Sequence, residues 1–344
     1  MTVVGPMLRK LGWDDSWTAA FEKLAVGGQP GRIVRAGRLL RVRTERQEVF
    51  AECPQGLQER PICGDWVALD LHADARVDEA SGIIRATLPR RNAIIRKAAG
   101  VERPQGIVAN IDGIWLVCGL DRDQGIRSLA RYQAMTRLDD VSVTVVLNKL
   151  DLVDDIGRKL SLAQAKAPDL EVLPVSAQLR QGLEWLEAKL QPCQTTALIG
   201  PSGVGKSSLI NALTQSVELR TDAVRQKDHR GCHTTSAGQL VATVSGALLI
   251  DTPGLRELGL WQAAGLDNSY ADILELSEGC RFRDCSHGTE PGCRIKLALA
   301  QGELEAERFQ SYLELQRERA FLDRGLSRTR PRKQPFRPAK FRQF

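Results

Sequence analysis

The sequence predicts a multidomain fold: an N-terminal β-barrel of the oligonucleotide-binding (OB-fold) type, a central α/β domain built around a phosphate-binding loop, and a C-terminal α-helical zinc-binding domain. Three observations predict it. Short alternating segments with glycine turns fill about residues 31–97. A complete phosphate loop, Gly200-Pro-Ser-Gly-Val-Gly-Lys206-Ser207, follows the base-reading tetrad Asn148-Lys-Leu-Asp151 in the chain instead of preceding it. Four ligand-type side chains crowd together as Cys280-x4-Cys285-x-His287-x5-Cys293.

In the first unit, residues 1–98, apolar positions alternate with polar or basic ones, as in Arg32-Ile-Val-Arg-Ala-Gly-Arg-Leu-Leu-Arg-Val-Arg43 and Gly64-Asp-Trp-Val-Ala-Leu-Asp-Leu71. Period-two patterning of this kind makes half-buried strands. Gly31 to Lys97 carries 13 Lys+Arg against nine Asp+Glu, with Arg32, Arg35, Arg38, Arg41 and Arg43 gathered at its start. That tilt favours a polyanion over a purely structural barrel. Trp13 and Trp17 belong to a short helix expected to pack on the barrel.

The second unit, residues 99–265, carries the nucleotide chemistry. Thr195 to Ile199 reads as a buried strand and Lys206 to Leu213 as a helix, the setting a phosphate loop needs. Glycines let successive backbone N–H groups turn onto the phosphates, and the helix N-terminus adds its positive end. Gly200, Pro201, Ser202, Gly203, Val204, Gly205, Lys206, Ser207 and Ser208 are the expected phosphate contacts. Lys206 would reach the β- and γ-phosphates and Ser207 would ligate Mg2+. Gly203 stands where potassium-stimulated GTPases typically carry Asn, so the loop gives no basis for predicting a monovalent-ion requirement. Asp251-Thr-Pro-Gly254 follows the apolar strand 246–250. Asp251 would hold a Mg2+-bound water, and the Gly254 N–H would meet the γ-phosphate.

Asn148, Lys149 and Asp151 close the strand 143–147 and discriminate bases. The Asp151 carboxylate accepts from N1–H and the exocyclic amine of guanine, a donor pair adenine lacks. Asn148 would donate toward O6/N7 and tie loops together, while the Lys149 stem covers the ring. Ser176 and Ala177, after the strand 171–175, offer a backbone N–H to O6. Four motifs therefore lie at the carboxyl ends of four strands, where open α/β sheets bind ligands. Their chain order is base, base, phosphate, Mg2+, a permutation that keeps the pocket because strands need only be neighbours in space.

In the third unit, residues 266–323, three thiolates and an imidazole at Cys280, Cys285, His287 and Cys293 suit tetrahedral Zn2+ with no open position, which defines a structural site. Cys53, Cys63, Cys118 and Cys193 stand singly and read as small buried hydrophobes. Lys296 to Leu322 reads as helix broken near Gly302. The tail, residues 324–344, holds eight Lys+Arg and no acid, so the net +6 of the chain arises there and the remainder carries a formal −2. Phe336, Phe341 and Phe344 alternate with Pro331, Pro335 and Pro338, a composition suited to a flexible arm on RNA. A 42% hydrophobic content supports real cores. No secretory apolar region opens the chain and no run reaches membrane-spanning length, so a cytoplasmic protein is expected.

A basic barrel, a permuted nucleotide domain and this Cys/His cluster, with Ala109-Asn110-Ile111-Asp112 at the entry to the first strand of the central domain, together resemble the ribosome-small-subunit-dependent GTPase A (RsgA/YjeQ) family. The resemblance implies a circularly permuted P-loop GTPase α/β domain, GTP as substrate, Mg2+, and one structural Zn2+. It implies hydrolysis of GTP to GDP and phosphate in late maturation of the small (30S) subunit, stimulated by that subunit and its rRNA; a monomer is the default expectation for a factor that docks on so large a particle. Leu255 occupies the place where many GTPases carry a water-orienting Gln. The resemblance therefore directs attention to the switch segment Arg230-Gly-Cys-His233-Thr-Thr-Ser236. There Thr234 or Thr235 would complete the Mg2+ shell and His233 would orient the water, with His229 a nearby competitor.

Two other readings stand beside this one. An ATP-using P-loop enzyme is disfavoured by Asp151, which would lose its donor pair. A zinc-dependent RNA-binding protein with a regulatory nucleotide site differs from a GTPase in lacking turnover.

Overall fold

The computed structural model describes residues 4–54, 57, 59–72, 81–97, 104–136, 138–214, 238–252, 270–282, 285–288, 290–306, 308–310, 312, 313 and 316. Two helices come first, α1 (Pro6–Lys10) and α2 (Asp15–Leu24). Asp14 caps α2 by accepting from the Ser16 and Trp17 backbone N–H groups, satisfying donors that a helix start otherwise leaves orphaned. Trp13 and Trp17, the latter on α2, press on Trp66, with Trp13 edge-on at a ring separation of 4.8 Å. The expected packing of this segment on the barrel is thus present.

The barrel consists of β1 (Gln29–Ala36), β2 (Leu40–Thr44), β3 (Glu48–Glu52), β4 (Trp66–Leu71) and β5 (Gly82–Thr87). Its order runs β1-β2-β3-β5-β4 and closes through β4 on β1, with β3 and β5 parallel and the other pairs antiparallel. Inward positions Ile33, Leu40, Val42, Val49, Val67, Leu69 and Ile84 fill it. The sequence reading carried the barrel to Lys97, but the chain leaves it after Thr87. Pro89 cannot donate to a ladder, and Arg90 is held by Asp65 through Nε and Nη2, both at 2.8 Å. β6 (Ala93–Lys97) pairs instead with β7 (Pro104–Ala109) as a separate hairpin.

The central domain adds β8 (Gly113–Gly119), α3 (Asp123–Arg127), α4 (Leu129–Thr136), β9 (Ser142–Asn148), α5 (Ile156–Lys166), β10 (Glu171–Pro174), α6 (Leu183–Glu187), β11 (Thr195–Ile199), α7 (Lys206–Leu213), β12 (Gln239–Ala242) and β13 (Leu248–Asp251). Sheet order is β10-β9-β8-β11-β13-β12, parallel except for β12. Alternation on β8 serves both faces: Ile114, Leu116 and Cys118 join the core that takes in Leu129 of α4 and Ala163 of α5, while Trp115 and Val117 join the core that includes Leu186 of α6 and Leu209 of α7. β12 also pairs with β1 at Gln239 and Arg35. Barrel and nucleotide domain therefore share one sheet and one apolar core, in which Trp66 and Val108 lie with Ile114.

Arg32 pins this junction. It is 2% exposed and donates to the Leu11, Gly64 and Asn110 carbonyls, with Nη2–Asn110 at 3.0 Å and Nε–Gly64 at 3.3 Å. Burial pulls its pKa down to about 10. The arginine-rich start of the barrel is correspondingly less available to a polyanion than its sequence implies: Arg32 is internal and Arg41 pairs with Glu48 at 2.5 Å.

The C-terminal helices α8 (Ala271–Glu278) and α9 (Arg294–Gln301) pack Tyr270, Ile273, Ile295, Ala298, Leu304 and Phe309 around Ala130 of α4. Gly302 ends α9 in the left-handed region at φ +70°, where glycine carries no Cβ penalty. The break expected there is a helix cap. No described helix is long and apolar enough to cross a membrane.

Candidate functional site

The phosphate loop runs from the end of β11 to the start of α7, and its glycines have separate reasons. Gly203 and Gly205 sit at φ +83° and +93°, which L side chains rarely adopt. A Cβ on Gly205 would lie 2.3 Å from Asn148 Nδ2, and one on Gly200 would meet the Val117 carbonyl at 2.2 Å. Lys206 is buried and donates to the Gly200 and Pro201 carbonyls, both at 2.9 Å. Burial lowers its pKa to about 8, with Asp251 acting in the opposite direction.

Across the loop, Ser207 Oγ donates to Asp251 Oδ2 at 2.6 Å. Burial raises the Asp251 pKa, opposed by that hydrogen bond and by Lys206. Its Oδ1 is buried without a partner. An orphaned carboxylate oxygen beside a hydroxyl is the donor set a hard divalent cation takes, so the residues fit Mg2+. Thr252 braces this end of β13 by donating to the Leu198 carbonyl at 2.6 Å.

The base-reading residues form one network. Asn148 Nδ2 donates to the Val204 carbonyl at 2.9 Å, and Asn148 Oδ1 accepts from the Ala177 N–H at 3.1 Å. Asn148 thus ties base loop to phosphate loop, and the second N–H of its amide is left for the O6/N7 side of a base. The Ser176 hydroxyl donates to Asp151 Oδ1, which aims the carboxylate. Arg180 donates to the Ala212 carbonyl at 2.7 Å, tying the segment after Ser176 to the end of α7. Ser202 and Ser208 are exposed on the loop and the first turn of α7. Gly254, His229, His233, Thr234 and Thr235 lie outside the described residues.

In the C-terminal module the ligand atoms of Cys280, Cys285, His287 and Cys293 lie within 4.8 Å of one another. Cys280 Sγ is 3.9 Å from Cys293 Sγ, and His287 Nδ1 lies 3.6 and 3.5 Å from those two sulfurs. Zinc–sulfur bonds of about 2.3 Å place tetrahedral ligands roughly 3.7 Å apart, so the cluster fits. Burial raises the Cys280 thiol, but the backbone N–H groups of Arg294 and Ile295 outweigh it and the net shift is downward. The His287 N–H lowers Cys285, yet burial and the neighbouring thiols carry it up to about 11. Thiols this close do not all ionise without a cation among them. Burial also lowers His287, keeping the imidazole neutral and able to ligate.

Three residues that shape the site and its setting make contacts that the motifs around them do not reveal. Asn110, at φ 55°, bridges the Gly64 carbonyl and the Arg91 N–H. Arg32 holds the domain junction described above. Asp121, on the loop after β8, accepts from Lys149 Nζ at 2.9 Å. Only the Asp/Lys content of the loops hinted at that last contact.

The strand order, the inverted chain order of the motifs and the joined base and phosphate loops define a circularly permuted P-loop GTPase. The chain belongs to the RsgA GTPase family, which matches residues 87–261. It is 38% identical over 336 residues to the small ribosomal subunit biogenesis GTPase RsgA of Opitutus terrae, covering 92% of this chain and 91% of that one. Among solved structures it is similar to YloQ, a circularly permuted GTPase, at 26% identity and TM-score 0.55, covering 87% of this chain and 96% of that one. The fold also matches YjeQ from Thermotoga maritima, at 24% identity and TM-score 0.56 over 83% of this chain and 96% of that one. It is a GTP-hydrolysing enzyme, and the family works on GTP with Mg2+.

Proposed function

We propose that this GTPase acts in biogenesis of the small ribosomal subunit, binding the subunit and its rRNA from the cytoplasm as a monomer and hydrolysing GTP at a rate the subunit raises. The observation that carries the reading is the intact site, Ser207 on Asp251 and Asn148 on Val204, in a chain matched over 92% of its length by a relative with that printed role.

In this reading Lys206 and the loop N–H groups take the phosphates, and Ser207 and Asp251 hold Mg2+, which neutralises charge developing on the phosphoryl group. Thr234 or Thr235 would supply a further Mg2+ ligand, and His233 would orient the water that Leu255 cannot. Asn148, Asp151, Ser176, Ala177 and the Lys149 stem read guanine. The organisation is residues 1–98, 99–265, 266–323 and 324–344, with zinc a structural cation in the third unit. In the chain, residues 253–260 follow Asp251 and come just before that unit, so the permutation leaves only a short covalent connection between the nucleotide motifs and an RNA-facing end.

Co-sedimentation with purified small subunits tests the reading. Binding that is tighter with a non-hydrolysable GTP analogue than with GDP supports it; equal binding of both forms, or none, removes it. A zinc-dependent RNA-binding protein would bind RNA in either nucleotide state.

A further inference from the structure

The lysine of the base-reading tetrad is held from an unexpected side. Lys149 sits in the left-handed region at φ 69°, a conformation costly for a residue with a side chain. Its ammonium is captured by Asp121 Oδ2 at 2.9 Å, with both side chains about one quarter exposed, at 25%. Asp121 is itself fixed. The Leu120 N–H donates to the Asn148 carbonyl at 2.8 Å. Lys159 of α5 donates to the Leu120 carbonyl and pairs with Asp123 Oδ1 at 3.1 Å. The other Asp121 oxygen lies over Gly119, 2.5 Å from where a Cβ would stand, and that same Cβ would be 3.6 Å from Val204 Cα of the phosphate loop. The carboxylate therefore occupies the end of β8, between the base loop on β9 and the phosphate loop on β11.

We propose that Asp121 is a positioning residue for guanine-nucleotide binding: it holds the Lys149 ammonium so that the lysine stem lies ready over the base pocket before the nucleotide arrives. The proposal rests on the guanine-reading role of Lys149 given above. A flexible lysine loses rotamer entropy when immobilised, and a preformed ion pair bears part of that cost before binding. A Cβ at Gly119 would displace the carboxylate from this position. No contact between Asp121 and the nucleotide is involved, so its effect passes entirely through Lys149.

The test is a double-mutant cycle on the full chain, with Mg2+ present, reading affinity and dissociation rate for a fluorescent GDP. Asp121→Asn is expected to raise Kd roughly three- to tenfold, chiefly through faster release. In a Lys149→Met background the same change is expected to do almost nothing, since the residue it acts through is gone. Asp121→Glu should recover part of the loss, and Gly119→Ala, which leaves both charges in place, should mimic Asp121→Asn. An Asp121→Asn protein that binds like the parent, or that loses the same factor with Met at 149, overturns the proposal. Should Asn at 121 impair folding, the Gly119→Ala arm decides by the same criteria in the same two backgrounds. A parent protein that fails to bind fluorescent GDP overturns the guanine reading itself, an outcome distinct from a parent that binds and an Asp121 variant that matches it.

Discussion

Ser207 and Asp251, 44 residues apart in sequence, meet at 2.6 Å, with the hydroxyl donating to Oδ2 while Oδ1 stays buried and unpartnered. The helix start after β11 and the end of β13 are adjacent because those strands pair in parallel, Leu198 opposite Asp251. Mg2+ stabilises phosphoryl transfer by several kcal/mol, so Asp251→Asn should lower kcat by about two orders of magnitude or more. A Mg2+ titration of phosphate release should show a raised requirement; an unshifted titration would take Asp251 out of the metal site.

Nucleotide affinity should fall with rising pH above about 8, the value to which burial brings Lys206. The sign follows from charge: the ammonium binds phosphate, and the neutral amine does not. Below 8 the free site is already charged and affinity is flat. Above it, binding must take up a proton, and affinity drops up to about tenfold per pH unit. Calorimetry of GDP binding in buffers of different ionisation enthalpy reads the uptake directly. No uptake between pH 8 and 9 would place the lysine pKa elsewhere.

Removing zinc should unfold the C-terminal module while leaving nucleotide bound. Its small core is closed by Cys293 and Phe309 near the ligands, and metal-binding energy on the order of 10 kcal/mol exceeds what such a core supplies. Cys285→Ser should bring zinc content from one equivalent to near zero and reduce helical circular dichroism. Fluorescent GDP should still bind, because the module meets the GTPase at Ala130 of α4, away from the phosphate loop.

Arg32→Met should destabilise the fold by about 2–4 kcal/mol, since the Leu11, Gly64 and Asn110 carbonyls lose their shared donor inside the junction. Urea unfolding followed by tryptophan fluorescence, with Trp66 next to Arg32, measures it. A loss below about 0.5 kcal/mol would mean that water replaces the guanidinium at no cost.

What the sequence made legible was local. The phosphate loop, the tetrad at 148–151, Asp251 and the Cys/His cluster each carry their chemistry within a few residues, and the strands and helix beside them follow from periodicity. Contacts between distant segments were not legible. Nothing near Arg32 distinguishes it from Arg35 or Arg38, and only the closure of β1 against β4, with α1 and α2 over the barrel end, turns it inward. The pairing of β1 with β12 joins residues more than 200 positions apart. Asp121 reads as one more polar loop residue until β8 and β9 lie side by side. Asn148 was recognised, but its spacing could not reveal which backbone groups, the Val204 carbonyl and the Ala177 N–H, it ties together.

The most direct test of the central claim is the rate of phosphate release from GTP by the full chain, with and without purified small ribosomal subunits, run beside His233→Ala, His229→Ala and ATP. The expected result is a rate raised by the subunits, specific for GTP and abolished by His233→Ala while GTP binding survives. A turnover rate that the subunits leave unchanged would contradict the claim.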